Sequence, residues 1–277
     1  MWLRTLALFF VLCLFPLAPE VSAGDSLSLW IHPYLPATEL IKRFTPLTTY
    51  LGDELGLQVE IRIQKSYQTH IDFVGKDQAD IAYLGPVSYL RIADNFGLKP
   101  LLARLEVRGT PFFRGMIIVR KNSPIKTLAD LIGKSFAFGD PNSTMSHVVP
   151  RAHLKKAGIT LDLLGQHEFL GSHHDVALGV LGGYFDAGGV KEEVFYEYEN
   201  RGLRALAKSP PISEHVFMAR SDLPPELVES LQKAFIAVNQ HPQKDYILKS
   251  IKKSVTGFAP AADRDYNELR EHMKFAE

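Results

Sequence analysis

The sequence predicts an α/β protein made of two lobes with a ligand cleft between them. Three observations carry this. Strand-like and helix-like segments alternate from Ser26 onward, a second α/β block follows, and the stretches joining the blocks are extended crossings rather than long linkers. Assigned to residues, one lobe takes 24–112 and 206–277, the other takes 113–205, and a leader occupies 1–23.

SLSLWIHP (Ser26–Pro33) alternates as a first strand. Thr45-Pro46 reads as the N-cap and first position of a helix with Leu47, Tyr50, Leu51 and Leu55 on one face, closed by Gly56. QVEIRIQ (Gln58–Gln64) alternates strictly and is a strand. YQTHIDFVGKDQ is helical, ADIAYLG (Ala79–Gly85) is a buried strand, PVSYLRIADNFG is a helix and LKPLLARLEV a strand. This β-α-β-α-β order marks a mostly parallel sheet covered by helices.

FRGMIIVRKNSP (Phe113–Pro124) opens the second block as a strand, followed by a short helix in KTLADLIGK capped by Thr127 and a strand in SFAFGD. MSHVVPRAHLKKAGI reads as one helix with Pro150 as a kink. HDVALGVLGGYFDAGGV reads as a helix up to Gly182-Gly183 and then a short strand over Phe185–Val190. PPISEHVFMARSDLP returns as an extended segment, PPELVESLQKAFIAV (Pro224–Val238) is an amphipathic helix, and the tail from Ala262 is helical.

Bulk composition narrows the function classes. The 277 residues are 46% hydrophobic and 22% charged, with formal net charge zero, which fits a folded chain with a sizeable core. No dense Lys/Arg run gives a nucleic-acid footprint. MWLRTLALFFVLCLFPLAPEVSAGD has one Arg, an apolar run from Leu6 to Leu17 and the small-residue step Val21-Ser22-Ala23, which fits a cleaved signal peptide. The apolar run is short for a membrane span of about 20 residues. Cys13, the only cysteine, lies inside the leader. A cysteine-free exported chain fits the bacterial periplasm.

The chemistry centres on FGDPNSTMSHVVP (Phe138–Pro150). A strand ends, a Gly-Asp-Pro-Asn turn follows, and a helix starts at Asn142-Ser143-Thr144. Helix starts leave backbone N–H groups unpaired and carry partial positive charge. Two adjacent hydroxyls add uncharged donors, so this junction is either a plain N-cap or an anion site. No P-loop lysine and no GxGxxG supports a nucleotide. His173 and His174 offer imidazole donors near a second helix start. His147, His153, His173 and His174 lack acidic or thiolate partners at a metal-ligand spacing, so no metal is expected. Ser143 and His147 lie four apart without a GxSxG elbow. Tyr83, Tyr89, Phe112 and Phe113 fall near strand ends or loops, where aromatics usually belong to the core. Tyr67 precedes a helix and can reach a cleft. Asp186 reads as structural, and Glu192-Glu193 as a solvated face or an amine acceptor.

At this point the chain resembles the PhnD-like periplasmic substrate-binding proteins for phosphonate, phosphite and phosphate that serve ABC transporters. The likeness covers most of the chain after the leader. It rests on SYQTHIDFVGKDQADIAYLGPVSYL, VRKNSPIKTLADLIGKSFAFGDPNSTMSHVVPRAHLKKAGI, GSHHDVALGVLGGYFDAG and KSPPISEHVFMARSDLP, with GKSFAFGDPNST as the most specific run. The resemblance implies a two-lobed periplasmic-binding-protein fold of type II-like form, closing over a ligand in the interlobe cleft.

It further implies that a first-lobe tyrosine, a hydroxyl run and a histidine hold the phosphoryl group. These fall on Tyr67, on Ser143, Thr144 and Met145, and on His173. A second tyrosine of the family falls on Phe113, which has no hydroxyl. Of two carboxylates that hold an amine in aminoalkylphosphonate binders, one matches Glu193 and the other falls on His215. Met145 offers only its backbone N–H, and Ser146 is the substitute hydroxyl. A small phosphorus oxyanion or alkylphosphonate is therefore expected over 2-aminoethylphosphonate. The expected protein is a binder without cofactor, in which uncharged donors and a helix end supply most of the recognition, partnered by an inner-membrane ABC permease. A sensory module feeding a kinase or cyclase is the alternative, and an exported hydrolase using Ser143 and His173 is a third reading.

Overall fold

The computed structural model describes residues 26–276, so the leader and Cys13 lie outside the described residues. β1 (Ser26–Ile31), α1 (Ala37–Leu55), β2 (Gln58–Ile63), α2 (Tyr67–Gly75) and β3 (Ile81–Leu84) form parallel crossover units with β1 between β2 and β3. α3 (Pro86–Phe96) leads to β4 (Leu101–Val107). Leu27, Leu29 and Ile31 of β1 face Leu40, Phe44, Leu47 and Leu51 of α1, while Trp30 on the other face lies 4.2 Å from the Phe73 ring of α2. Period-2 alternation on the strand thus meets the helical stripe, and both sheet faces are covered.

The chain then crosses through β5 (Phe112–Phe113) into β6 (Gly115–Arg120), β7 (Ser135–Phe138), α4 (Val149–Lys156), β8 (Gln166–Phe169), α5 (His173–Leu181), β9 (Ala187–Lys191), α6 (Glu192–Glu199) and β10 (Leu203–Lys208). It returns through β11 (Ile212–Ser213) to β12 (Val216–Ala219), α7 (Pro225–Ala237), α8 (Lys244–Ile251), β13 (Val255–Ala259) and α9 (Asn267–Ala276). The first sheet runs β13-β4-β12-β3-β1-β2 and the second β10-β6-β9-β7-β8. The two crossings pair as an antiparallel ribbon, Phe113 opposite Ile212 and Phe112 opposite Ser213. β6 alternates into two cores, Met116 and Ile118 on one face and Ile117 and Val119 on the other. Tyr266 and Leu269 at the chain's end join Val87 and Leu90 of α3 and Val149 and Ala152 of α4 in one apolar cluster, so the last helix packs on both lobes.

Several sequence expectations are corrected. α1 starts at Ala37, eight residues before Thr45, and Pro46 sits inside it. An interior proline removes one helical hydrogen bond, but Leu40, Phe44, Leu47 and Leu51 bury a continuous stripe that outweighs the loss. The helix expected as one piece around Pro150 is a π-helical turn (Thr144–Val148) followed by α4, with Pro150 in the first turn of α4 where its missing N–H is tolerated. KTLADLIGK forms only a 3₁₀ turn (Leu128–Leu131), in which Asp130 accepts from the amides of Lys126 and Thr127. β8 is exposed along its length and has no apolar alternation to reveal it. Gly139 is required where the π-turn crosses β7's end, because a Cβ there would lie 2.3 Å from Ser146 Oγ. Gly189 does the same for α4, with Pro150 Cγ at 2.6 Å.

Candidate functional site

Four helical beginnings converge where the lobes meet. Tyr67 starts α2, Pro86 starts α3 behind N-cap Gly85, Thr144 starts the π-turn behind N-cap Ser143, and His173 starts α5 behind N-cap Ser172. Each follows the carboxyl end of a parallel strand, respectively β2, β3, β7 and β8. Strand ends and helix starts on both sides of an α/β crevice are where ligands sit, and the helix ends bring partial positive charge. Between them lies a cavity of about 30 Å³ lined by Tyr67, Gly85, Ser143, Thr144 and His173, with Phe113, Met145 and His215 at its edges. One water needs roughly 10–15 Å³ on this measure, so the space is on the scale of two or three waters and excludes an extended ligand.

The second-lobe hydroxyls are oriented by amides. Ser143 Oγ accepts from the Ser146 N–H at 3.2 Å. Thr144 Oγ1 accepts from the Val87 N–H of α3 at 3.1 Å, a bond that crosses between lobes and supplies the cap that Gly85 lacks. Both oxygens therefore have a lone pair engaged and a proton left to give. His173 Nδ1 accepts from the Lys191 N–H at 3.1 Å, and its Nε2 stands 3.4 Å from Ser143 Oγ. Burial, then the Lys191 charge, pushes the His173 imidazole well below its ordinary range. The neutral ring thus carries its proton on Nε2, facing Ser143. That tautomer presents a donor to Ser143 rather than the accepting nitrogen a nucleophile pair uses. Burial keeps Tyr67 protonated, so its hydroxyl brings a proton to the cavity from the first lobe.

Other sequence-predicted residues have different fates. Ser146 is not a substitute hydroxyl: its Oγ donates to the Gly189 carbonyl at 2.7 Å and is fully buried. Met145 borders the cavity but its side chain belongs to the apolar cluster shared by the lobes. Phe113 separates the small cavity from a larger chamber of about 400 Å³. Glu193 lines that chamber, and its Oε2 is paired with Lys252 Nζ at 2.7 Å and Lys191 Nζ at 3.2 Å. His215 Nδ1 donates to buried Glu214 Oε2 at 2.7 Å. Asp186 is structural, accepting from the Ser135 amide and hydroxyl at 3.0 Å each. His147 turns away from Ser143, its Nδ1 bonding the Pro141 carbonyl at 2.8 Å.

Sequence reasoning missed three contributors, Lys191, His32 and Tyr34, and the anchoring of Asn142. Lys191 lines the cavity and adds a cation to the mostly uncharged donors that were expected. Burial lowers its pKa while Glu193 opposes that. The only sequence signal was a lysine closing the buried run Ala187–Lys191. His32 and Tyr34 lie just past β1, the usual place for a ligand contact, but nothing in WIHPYLP marked them. Asn142 is anchored by Arg91 of α3, a second polar tie between lobes.

Two α/β lobes, a paired ribbon between them and a polar cavity made from both define a periplasmic-binding-protein fold built to enclose a small ligand. The chain belongs to the phosphonate periplasmic substrate-binding protein family of ABC transporters, whose family model matches residues 29–266. It is 25% identical over 271 residues to the phosphate-import protein PhnD of Mycolicibacterium smegmatis, covering 89% of this chain and 84% of that protein. It is 24% identical over 229 residues to the phosphonates-binding periplasmic protein of Escherichia coli, covering 79% and 66% respectively. Among solved structures it is similar to PhnD1 from Prochlorococcus marinus in complex with methylphosphonate, at TM-score 0.80 and 20% identity over 90% of this chain and 97% of that one.

Proposed function

We propose that this chain, exported by cleavage of its 1–23 leader, captures a small phosphorus oxyanion in the periplasm and presents it to an ABC permease. Its lobes are 24–112 with 206–277, and 113–205. The ligand is phosphate, phosphite or a short alkylphosphonate, held by Tyr67, Ser143, Thr144, His173 and Lys191. The carrying observation is that three of these side chains are turned into donors by backbone amides around one small cavity. Hydrogen bonds to a charged acceptor contribute about 1.5–3 kcal/mol each net of exchange with water, so four or five such bonds suffice for micromolar binding or tighter. The ammonium groups of Lys191 and Lys252 already occupy Glu193, which argues against a ligand with an amine tail. Relatives named for phosphate import and phosphonate binding support the ligand class.

The test is titration calorimetry and thermal shift on the exported protein with phosphate, phosphite, methylphosphonate and 2-aminoethylphosphonate. Heat and stabilisation are expected with at least one of the first three and weakest with the last. No response to any of them rejects the reading.

A further inference from the structure

Three charged side chains beside the cavity join the lobes. Lys191 closes β9 and Glu193 stands in the first turn of α6, both on the side of the second sheet. Lys252 lies between α8 and β13, on the side of the first sheet. One carboxylate oxygen, Glu193 Oε2, takes Lys252 Nζ at 2.7 Å and Lys191 Nζ at 3.2 Å. The two ammonium groups are therefore neighbours with that oxygen between them. The side chains of Lys191, Glu193 and Lys252 are only 20%, 24% and 20% exposed, so these pairs are screened less than surface bridges. Lys191 lines both the small cavity and the larger chamber. The first lobe reaches the same place twice more. Tyr34 lies with its ring 5.8 Å from Lys191 Nζ, and Arg108 lies 5.3 Å from the Tyr196 ring of α6.

We propose that Glu193 is a positioning residue that ties Lys191 to Lys252 across the lobes, so that an anion at Lys191 and closure of the lobes reinforce one another. An anion in the small cavity completes a row of ligand, Lys191, Glu193 and Lys252. Each neighbour in that row has the opposite sign. Lys191 and Glu193 sit two residues apart on one lobe and stay together when the lobes part. The Lys252 contact crosses between lobes and is made on closing. A contact made only in the closed form adds to ligand affinity, whereas one present in both forms does not. The amine that Glu193 accepts is thus the protein's own. Because the row begins at a bound anion, this role rests on the anion-capture reading.

Glu193 serves the ligand rather than competing with it for Lys191. Burial lowers the Lys191 pKa, Glu193 raises it, and Lys252 lowers it again. Burial opposes ionisation of Glu193, but Lys191 and Lys252 outweigh it and hold the carboxyl below its ordinary range. Taking the carboxylate away leaves two neighbouring ammonium groups, one of them without the partner that favours its charge. The closed form bears their repulsion, and opening carries Lys252 away with the first lobe. The sign of the Lys252 contribution therefore depends on residue 193: attractive beside Glu, repulsive beside Gln.

The experiment is a double-mutant cycle on the exported protein, read by calorimetry with phosphate, phosphite and methylphosphonate and by chemical unfolding without ligand. Glu193→Gln is expected to weaken binding at least about tenfold, and Lys252→Met about threefold or more. In the Glu193→Gln background the effect of Lys252→Met reverses, and the double variant is expected to bind at least about threefold tighter than Glu193→Gln alone. The charge exchange Glu193→Lys with Lys252→Glu keeps one carboxylate between two ammonium groups, and is expected to recover much of the loss. Where Glu193→Gln does not fold, Lys252→Met against Lys252→Arg decides, because arginine keeps the cation and should restore binding. Additive effects of the two substitutions on affinity overturn the inference. So does Glu193→Gln binding as well as or better than the native protein, since that would make Glu193 a competitor for Lys191. A coupling present in ligand-free unfolding and absent from affinity also overturns it, because the bridge is then a fixed part of the fold. All these outcomes leave anion capture standing. No heat from the native protein with any phosphorus oxyanion overturns the capture reading itself.

Discussion

Thr144→Val separates the two tasks assigned to one hydroxyl. Valine keeps the volume and branching of threonine but removes both the acceptor that satisfies the Val87 N–H and the donor offered to the ligand. The bond is 3.1 Å and buried, and it joins the second lobe to the first turn of α3. Opening the lobes returns the Val87 amide to water, so its loss is felt only in the closed form. An amide buried without its partner costs about 1–3 kcal/mol, and the lost hydrogen bond to an anionic ligand costs about 1.5–3 kcal/mol more. Together these predict binding weakened by about a hundredfold to ten-thousandfold. Thr144→Ser, which keeps the hydroxyl, is expected to stay within about tenfold. Calorimetry with phosphate and methylphosphonate reads the affinity, and thermal unfolding without ligand checks that the fold survives. Thr144→Val binding within about threefold of the native protein would refute both roles.

Three further outcomes follow from other contacts. His173→Phe keeps a ring at the start of α5 but loses the Nε2–H and frees the Lys191 amide, and a loss of about 1.5–3 kcal/mol in ligand binding is expected by calorimetry. Lys99 is a structural cation far from the cavity, buried to 1% and bound to Asp77 at 2.7 Å and Ser221 Oγ at 3.2 Å; because Asp77 is partly solvated, Lys99→Met is expected to cost about 2 kcal/mol of stability with affinity unchanged, measured by chemical denaturation. In acid, two windows separate. Burial holds His70 at about 4, below its value of 6.5, so its contribution to stability is present above pH 6.5 and lost as pH falls toward 4. Glu214 is opposed by burial but held at about 2 by His215 and Lys252, so its contribution is present above pH 4.5 and lost as pH falls to 2, on the order of 3 kcal/mol. His70→Leu should flatten the first limb of an acid-unfolding curve and Glu214→Gln the second; exchanged effects would contradict the assignment.

The alternation of β1 and β2, the apolar run of β6 and the turn at Asn142-Ser143-Thr144 made the sheets and half of the candidate site legible, because pattern and capping chemistry are local properties of the chain. Thr45-Pro46 misled because a proline beside a threonine has the local form of a helix start, while the stripe from Leu40 to Leu51 that overrides it is a tertiary effect. Ser146 misled for a similar reason: its neighbours are those of a ligand hydroxyl, but its partner is Gly189, across the fold on β9. Lys191, His32 and Glu214 were illegible because each acquires its meaning from burial and from a partner or cavity far along the sequence.

The donors of this site are amphoteric groups in isolation. A hydroxyl or a neutral imidazole can give or take a hydrogen bond, and so cannot by itself tell an anion from a cation. Here Ser146 fixes Ser143, Val87 fixes Thr144 and Lys191 fixes His173, each through a backbone N–H that engages an accepting lone pair. What remains toward the cavity is the proton. Glu214 in turn holds His215 by its Nδ1, which fixes how that ring stands at the cavity. The donor sense of the proposed site is thus set by backbone amides rather than by the identity of the side chains that line it. Substituting those side chains conservatively while leaving their amide partners in place should therefore preserve anion preference. Displacing the 143–148 turn by adding a side chain at Gly139, whose Cβ would strike Ser146 Oγ at 2.3 Å, should abolish it with every ligand-facing residue intact.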